Sequence, residues 1–152
     1  MPEAIAFCIM NREELIRKLD LKPLEPEGGY VNEYHQDELY STIIYMLTPD
    51  SFSHMHKLEH DEVWFFHEGS PVEMLLIDDE HDEIRYLSNE DEVQIIVKAG
   101  TYIGARMKEK DRGYSLVSTC VIPPYSDEIF TLGSYEELSA KTVHKELLKQ
   151  LT

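Results

Sequence analysis

The sequence predicts an all-β fold, an antiparallel jelly roll or barrel, with a short helix before the strands and a helical tail after them. Short segments rich in Val, Ile, Tyr and Phe recur between residues 30 and 132, where Gly, Pro, Asp and Asn separate them. No ten-residue helical pattern lies between these segments, which disfavours a parallel β/α arrangement. A chain of 152 residues is also most economically one domain.

The first predicted element is a helix at about residues 11–20. Asn11 and Glu14 have the spacing of a capping box, in which each side chain accepts a hydrogen bond from the backbone amide of the other residue. Apolar residues at helical spacing then mark one face. Pro23 ends the helix, and Gly28-Gly29 turns the chain toward the first predicted strand.

The barrel is predicted between about residues 30 and 132. Each predicted strand is short, carries β-branched or aromatic residues, and is bounded by turn residues. The predicted strands are Tyr30–Tyr34, Ser41–Leu47, Phe52–His56, Glu62–Phe66, Val72–Ile77, Ile84–Leu87, Val93–Val97, Thr101–Met107, Tyr114–Ile122 and Glu128–Leu132.

Two of these strands carry large apolar side chains on both faces. In Glu62–Phe66 and in Ile43–Leu47, apolar residues stand at successive positions and not only at alternate ones. A strand that is buried on both faces lies between two layers, and the second layer can be another subunit. We therefore predict a homodimer.

Residues 134–151 predict an amphipathic helical tail. Ser134 and Glu137 repeat the capping-box spacing, and leucines at helical spacing follow, with lysines on another side. Lys141-Thr142 is expected to divide the tail into two pieces. We expect the leucine face to pack on the barrel, because the chain is acidic and has no lipidation signal for a membrane.

The charge balance disfavours two classes of partner. Thirty acidic residues against fourteen basic ones give a formal net charge of −16. Such a field repels phosphate backbones and anionic lipid, so we expect neither nucleic acid nor a membrane as a partner. The apolar run at residues 1–10 lacks a basic leader and is too short to span a bilayer. With two cysteines, Cys8 and Cys120, no disulfide framework is expected, and we predict a soluble, cytoplasmic protein.

The sequence His54-Met-His56, followed by Glu62, is the strongest indication of a site. Residues two apart on a strand point to the same side of the sheet, so both imidazoles are expected to face inward. Two imidazoles and one carboxylate form the facial arrangement that holds iron or a similar divalent metal ion with open coordination positions. One hypothesis for this site is therefore a metal centre at His54, His56 and Glu62.

The same segment, with Gly69 after it, resembles the first motif of the cupin superfamily. Over most of its length the chain is similar to the fifth cupin family, a set of small cupins. The matching pieces run in order along the chain: Pro26-Glu-Gly-Gly-Tyr30, Ser41-Thr-Ile-Ile-Tyr45, Ser53-His-Met-His-Lys-Leu58, Asp61-Glu-Val-Trp64, His67-Glu-Gly69, Ala99-Gly100 and Ile122-Pro-Pro-Tyr125.

The resemblance implies a double-stranded β-helix barrel that is usually dimeric and encloses a cavity for a small-molecule ligand. Two departures from the family pattern affect the expected metal ligands. Five residues separate His56 from Glu62, where the motif has three or four. The second cupin motif is matched by Lys98-Ala-Gly100-Thr-Tyr-Ile103, in which Ile103 takes the place of the third histidine.

The resemblance also implies roles for individual residues. Related cupins that epimerise nucleotide sugars use a histidine base and a tyrosine acid. We therefore take His56, Glu62 and Tyr45 as the candidate catalytic residues, with Tyr34 and Tyr102 as alternative acids.

Four residues are candidates for ligand binding, namely Tyr34, Trp64, Tyr102 and Arg106. Arg106 either receives a carboxylate or phosphate of the ligand, or lies outside and pairs with an acid of the chain. Three functional hypotheses stay open. They are an isomerase or epimerase of sugar-like compounds, a metal-dependent dioxygenase or isomerase, and a non-catalytic binding module.

Overall fold

The strands of this protein form two antiparallel sheets that face each other. The structure is a computed structural model that describes residues 10–152, so Cys8 and residues 1–9 of the predicted apolar run lie outside the described part. The strands are β1 Lys22–Pro23, β2 Tyr30–Gln36, β3 Ser41–Leu47, β4 Ser53–Leu58, β5 Asp61–Gly69, β6 Val72–Ile77, β7 Asp82–Leu87, β8 Gln94–Val97, β9 Tyr102–Met107, β10 Ser115–Ile122 and β11 Phe130–Leu132.

One sheet has six strands in the order β1-β2-β3-β10-β5-β8, and the other has five in the order β11-β4-β9-β6-β7. The main apolar core lies between the sheets and includes Leu47, Met74 and Val117. This antiparallel jelly roll confirms the predicted fold class. All ten predicted strands are present, and the short strand β1 is the addition. The sequence pattern does not predict β1, because Pro23 is typical of a chain break.

The first helix, α1, spans Arg12–Lys18 and has the predicted capping box. Asn11 Oδ1 accepts a hydrogen bond from the Glu14 amide at 2.9 Å, and Glu14 Oε2 accepts one from the Asn11 amide at 3.1 Å. Leu15 packs with Met46 of β3, so α1 covers one end of the outer surface of the six-stranded sheet.

The tail contains α2 Tyr135–Leu138 and α3 Lys145–Gln150, with a 3₁₀ turn at Ser139–Lys141 between them, close to the predicted break. No helix within residues 10–152 is long and apolar enough to cross a membrane. The apolar side of the tail packs on the outer surface of the five-stranded sheet. The residues of this tail cluster are Met55, Leu75, Ile77, Leu138, Leu147, Leu148 and Leu151.

A β-bulge in β4 changes which of its side chains face the interior. The register against β9 shifts by one residue between Ser53 and His56, so that His54 and Met55 together oppose Gly104. Ser53 and His56 are therefore both buried on the inner side, whereas Met55 packs in the tail cluster. A Cβ atom at residue 104 would lie 2.5 Å from Met55 Sδ, which favours glycine at this position.

The outer surface of the six-stranded sheet is apolar at its centre. Trp64 of β5 faces the interior, so its neighbours Val63 and Phe65 face outward. Ile96 of β8 and Cys120 of β10 flank Val63 in register. Phe65 is 36% exposed and Ile96 is 48% exposed. We call these four outward residues, Val63, Phe65, Ile96 and Cys120, the outer apolar face.

Candidate functional site

A cavity of about 400 Å³ lies between the two sheets. Strands β2, β3, β5 and β10 line it from one sheet, β4 and β11 line it from the other, and the loop before β2 contributes further residues. Its wall is mostly apolar, as in most small-molecule pockets. The apolar lining residues are Leu24, Val31, Ile43, Tyr45, Leu58, Trp64, Val121 and Phe130.

His56 is buried in this cavity and is 2% exposed. Its Nδ1 atom lies 2.7 Å from the backbone carbonyl oxygen of His54. Because a carbonyl oxygen only accepts hydrogen bonds, Nδ1 carries the proton in this contact, and Nε2 is the nitrogen available to the cavity. The imidazole also stacks on Phe130, with ring centroids 5.3 Å apart.

Glu27 is a site residue that the sequence analysis did not select. Its Oε1 atom lies 3.6 Å from His56 Nε2 and accepts a hydrogen bond from Ser53 Oγ at 2.7 Å. The turn residues around Glu27 predict only a chain reversal. A carboxylate inside a segment that matches the family pattern is the signal that points to it.

Glu62 brings a second carboxyl group into the cavity and is 6% exposed. Its Oε1 atom accepts a hydrogen bond from Trp64 Nε1 at 2.9 Å. Burial raises the pKa of Glu62 above its ordinary value of 4.5, a proton on His56 would oppose the rise, and the negative charge of Glu27 adds to it. The environment therefore favours the neutral form of Glu62.

Tyr45 lines the cavity, as predicted, but its hydroxyl proton already forms a hydrogen bond within the protein. The hydroxyl donates a hydrogen bond to the carbonyl oxygen of Gly28. Burial raises the pKa of Tyr45 well above its ordinary range, and the charge of Glu27 raises it further. Tyr45 thus stays neutral and holds the loop that carries Glu27.

Thr119 is a second residue that the sequence analysis did not select. It lies on β10 beside Trp64 in register, lines the cavity and is 2% exposed. Its hydroxyl faces Glu62 and lowers the pKa of that carboxyl. Within residues 10–152, however, Thr119 Oγ1 is buried without a partner at hydrogen-bonding geometry. Such a hydroxyl costs about 1–3 kcal/mol, so buried polar groups normally have a partner.

His54 does not join His56, and the expectation that both imidazoles face inward is wrong. The bulge in β4 reverses the alternation of side chains between the two residues. His54 Nε2 lies 3.0 Å from the carbonyl oxygen of Thr152, and Nδ1 lies 3.1 Å from that of Met55. His54 therefore connects β4 to the tail.

The residues present do not fit the predicted metal centre. His54 is directed away from the cavity, and Ile103, at the position of the third cupin histidine, lies beside His56 in register and is buried in the main core. In the described part of the chain, no three His, Cys, Asp or Glu side chains are arranged to hold a metal ion.

Three predicted ligand-binding residues lie outside the cavity. Tyr34 is the extra residue of a bulge in β2 and is 71% exposed. Tyr102 packs against the tail cluster. Arg106 pairs with Glu73 at 2.9 Å, so it binds an acid of the chain, the second of the two predicted alternatives. Trp64, in contrast, lines the cavity as predicted.

A sequence profile described as Cupin superfamily (DUF985), Cupin_5, matches residues 13–133. This chain belongs to that family. The matched range begins in α1 and extends past β11, so it includes every strand and every cavity residue named above. The resemblance seen in the sequence is thereby confirmed.

Solved structures show the same cupin fold. A protein from Shewanella oneidensis is 28% identical, with a TM-score of 0.85, over 95% of this chain and 98% of that chain. A hypothetical protein from Leishmania major is 28% identical, with a TM-score of 0.80, over 94% and 99% of the two chains. KdgF from Halomonas sp. is 21% identical, with a TM-score of 0.57, over 74% and 94%, and shows the fold alone. No curated protein matches the chain.

Proposed function

We propose that this cupin binds a small organic molecule in its barrel and that His56 and Glu62 transfer a proton on it, as an isomerase or epimerase of sugar-like compounds does. One observation carries the proposal. The cavity holds a buried imidazole and a buried carboxyl group whose pKa is raised. Perturbed titratable groups that share a cleft are typical of acid–base sites.

His56 is the proposed base. Its Nδ1 atom is fixed by the His54 carbonyl, so Nε2 accepts the proton from the ligand. Glu27, 3.6 Å from Nε2, stabilises the imidazolium that forms.

Glu62 is the proposed acid, because its surroundings favour the neutral carboxyl group. One proton leaves the ligand and one is returned, so the ligand keeps its composition and no co-reactant is needed.

A thermal-shift and calorimetry screen tests the binding step. The panel contains small sugars, sugar acids, amino sugars and short-chain alcohols, acids and amines. A ligand at about 100 times its dissociation constant adds roughly 2.7 kcal/mol to the free energy of unfolding. The result expected is at least one such ligand, with density beside His56 in a crystal of the complex. Failure of every class to bind would contradict the proposal.

Proton exchange tests the catalytic step. The bound ligand is incubated in D₂O, and deuterium incorporation at carbon is followed by NMR. We expect His56→Gln to abolish incorporation, because it removes the base. Glu62→Gln should abolish formation of the isomerised product, because it removes the acid that returns the proton. His60→Gln is the matched control, since His60 is outside the cavity lining and contacts the Pro123 carbonyl. Incorporation that persists in His56→Gln would overturn the role of the base.

One observation favours a non-catalytic binding module as the second candidate. The proton of Tyr45, the proposed tyrosine acid in the family-based hypothesis, is held by the Gly28 carbonyl. Ligand binding by the wild type without any deuterium incorporation would select this candidate over the enzyme.

We also propose a homodimer that forms through the outer apolar face. The chain has a formal net charge of −16, yet the four residues of this face carry no charge. Pairing with an identical surface buries apolar area without placing like charges together. Light scattering should give a dimer for the wild type and a monomer for Phe65→Lys. Val143→Lys, at a residue that is 82% exposed in the tail, should stay dimeric. A monomeric wild type would contradict the proposal.

A cytoplasmic location is the remaining part of the proposal. Among residues 10–152, Cys120 forms no disulfide bond, which fits a reducing compartment. Burial raises the pKa of the Cys120 thiol, so the reactive thiolate is disfavoured. Cell fractionation with an antibody tests the location, and recovery from an exported fraction would contradict it.

A further inference from the structure

The cavity is lined by carboxylates without matching cations. Within residues 10–152, no Lys or Arg side chain lines it. Exposed carboxylates mark its opening, and two less exposed ones, Glu27 and Glu62, lie inside. The five acidic lining residues are Glu25, Glu27, Glu33, Glu62 and Asp127.

The histidines do not balance these charges. Among the described residues, His56 is the one imidazole beside Glu27 and Glu62 inside the cavity, so even a protonated His56 neutralises no more than one carboxylate. At the opening, the ring nitrogen of His35 already lies 2.9 Å from the Asp37 carboxylate. With Glu62 in the neutral form that its surroundings favour, and His56 unprotonated as the proposed base, the Glu27 carboxylate keeps a negative charge inside the cavity.

Two basic residues on or beside the strands are paired outside the cavity. Arg106 binds Glu73 at 2.9 Å, and Lys98 binds Asp61 at 2.8 Å, both outside the cavity lining. Neither side chain supplies the missing positive charge to the cavity. A ligand that carries its own positive charge would supply it.

Aromatic rings line the same space. Tyr45, Trp64, Tyr125 and Phe130 all contribute to the wall. The electron-rich faces of aromatic rings attract organic cations, and the attraction is greatest where water is excluded. Carboxylates and aromatic rings are the groups that bind an ammonium ion, and both line this cavity.

Thr119 gives an independent indication of a ligand. Its hydroxyl is buried in the cavity wall and lacks a partner at hydrogen-bonding geometry among the described residues. A bound molecule with a hydroxyl or carbonyl group would supply that partner. An ammonium group only donates hydrogen bonds, so by itself it would leave the proton of the Thr119 hydroxyl without an acceptor.

We infer that the ligand of this cavity is a small organic amine, bound as its ammonium ion, that also carries a hydroxyl or carbonyl group. An amino sugar or an amino alcohol belongs to this class. The inference rests on the proposed function, because it names the charge class of the molecule bound beside His56 and Glu62. It argues against nucleotide sugars and sugar phosphates as ligands, because the carboxylates of the cavity repel their negative charges.

Sugars of one ring size and three different charges test the inference. Calorimetry at about pH 6, below the usual pKa range of amines, compares glucosamine, glucose and glucuronate. Butylamine, butanol and butyrate repeat the comparison for a smaller ligand. In each series we expect the cation to bind about tenfold or more tightly than the neutral compound, and the anion to bind least.

Two cavity variants and one control identify the residues responsible. Glu27→Gln should remove most of the preference for the cation over the neutral compound, because it removes one negative charge inside the cavity. Thr119→Val should weaken the binding of glucosamine about threefold to tenfold, the range that one hydrogen bond supplies. It should leave the affinity for butylamine unchanged. Glu136→Gln, an exposed acid of α2, should change neither preference. Thermal melting of each variant checks that it is folded.

The outcomes separate this inference from the proposed function. Glucose or glucuronate binding as tightly as glucosamine overturns the inference and leaves the proposed cavity function intact. A cation preference that survives Glu27→Gln and Glu62→Gln also overturns it, since the charge then comes from elsewhere. Failure of all three charge classes to bind overturns the proposed function itself.

Discussion

Glu62 is held in surroundings that favour its proton. In the folded protein its pKa is raised by burial, above the value of 4.5 expected for a solvated glutamate. Between these two pKa values the folded state binds more protons than the unfolded state, so stability falls as pH rises through that window. The contribution of Glu62 is fully present below the unfolded pKa and is lost above the folded pKa.

We therefore predict that Glu62→Gln gains thermal stability relative to the wild type as pH is raised from about 4 to about 8. The glutamine does not titrate, and its carbonyl oxygen is able to accept the hydrogen bond from Trp64. Differential scanning calorimetry across this pH range measures the difference in Tm. A difference that stays constant with pH would contradict the raised pKa.

The neighbouring Asp61 is the matched control with the opposite sign. Its pKa is lowered by Lys98, so its contribution is present above the ordinary value of 3.8 and is lost as pH falls through the folded pKa. The difference in Tm, Asp61→Asn minus wild type, should therefore become more negative as pH rises from acid to neutral.

Thr119→Val is predicted to stabilise the ligand-free protein by about 1 kcal/mol, because it replaces a buried hydroxyl that has no partner at hydrogen-bonding geometry among residues 10–152 by an isosteric methyl group. Urea unfolding measures the change. Ser115→Ala is the control, since the buried Ser115 hydroxyl donates to the Ser70 carbonyl at 2.7 Å, and its removal should destabilise by about 1 kcal/mol. Destabilisation by Thr119→Val would show that the hydroxyl has a partner.

The sequence predicts some site residues and misses others for a physical reason. His56 and Glu62 are found because they belong to a motif with known chemistry. The prediction for His54 is wrong because its orientation depends on a bulge opposite Gly104, where one inserted residue reverses the side-chain alternation. Glu27 and Thr119 come from distant parts of the chain, so only the closed barrel brings them to His56.

The loop before β2 is the element that completes the site. It carries Glu27 and is held by the hydrogen bond from Tyr45 to the Gly28 carbonyl. Gly28 has a φ of +101°, and a Cβ atom there would lie 2.1 Å from the carbonyl oxygen of Phe52. The backbone at Gly28 therefore determines where the Glu27 carboxylate lies.

Gly28→Ala is predicted to destabilise the protein by more than the roughly 1–2 kcal/mol that a left-handed backbone costs a residue with a Cβ atom, because a backbone atom blocks the added carbon. It should also weaken ligand binding by moving Glu27. Gly100→Ala is the control. Gly100 has a φ of +84° with open space around it, so only the backbone cost applies. Equal destabilisation in urea unfolding would contradict the clash at Gly28.

The strands themselves are well predicted, because alternation, β-branched residues and turn residues are local signals. β3 and β6 have the predicted bounds. β1 is not predicted, since its two residues include Pro23 and depend on pairing with β2. The bulge in β4 is also not predicted, because it arises from register with β9, which is far away in sequence. The bulge in β2 lies in its hairpin with β3, and the alternation of residue types does not mark the extra residue.

At the scale of the whole molecule, charge and apolar surface are separated. The chain carries a formal net charge of −16, while the outer apolar face has no charged residue. Two copies therefore repel each other at a distance and attract only when their apolar surfaces meet. Salt shortens the range of the repulsion, from a Debye length of about 30 Å at 0.01 M to about 10 Å at 0.1 M.

We predict that the proposed dimer becomes several-fold tighter between about 0.01 M and 0.1 M NaCl, because screening reduces repulsion between acidic copies. Sedimentation equilibrium at the two salt concentrations measures the dissociation constant. Phe65→Lys should remain monomeric at both. A dimer that weakens with salt would show that ion pairs hold the interface together.

The hydrogen bond from Trp64 to Glu62 has a practical consequence. The sequence contains one tryptophan, and its indole N–H donates to the buried carboxyl group at 2.9 Å. All tryptophan fluorescence of this protein therefore originates at the cavity wall. Deprotonation of Glu62, or a guest that displaces this contact, will change the emission of a single chromophore, so the native chain is its own optical reporter.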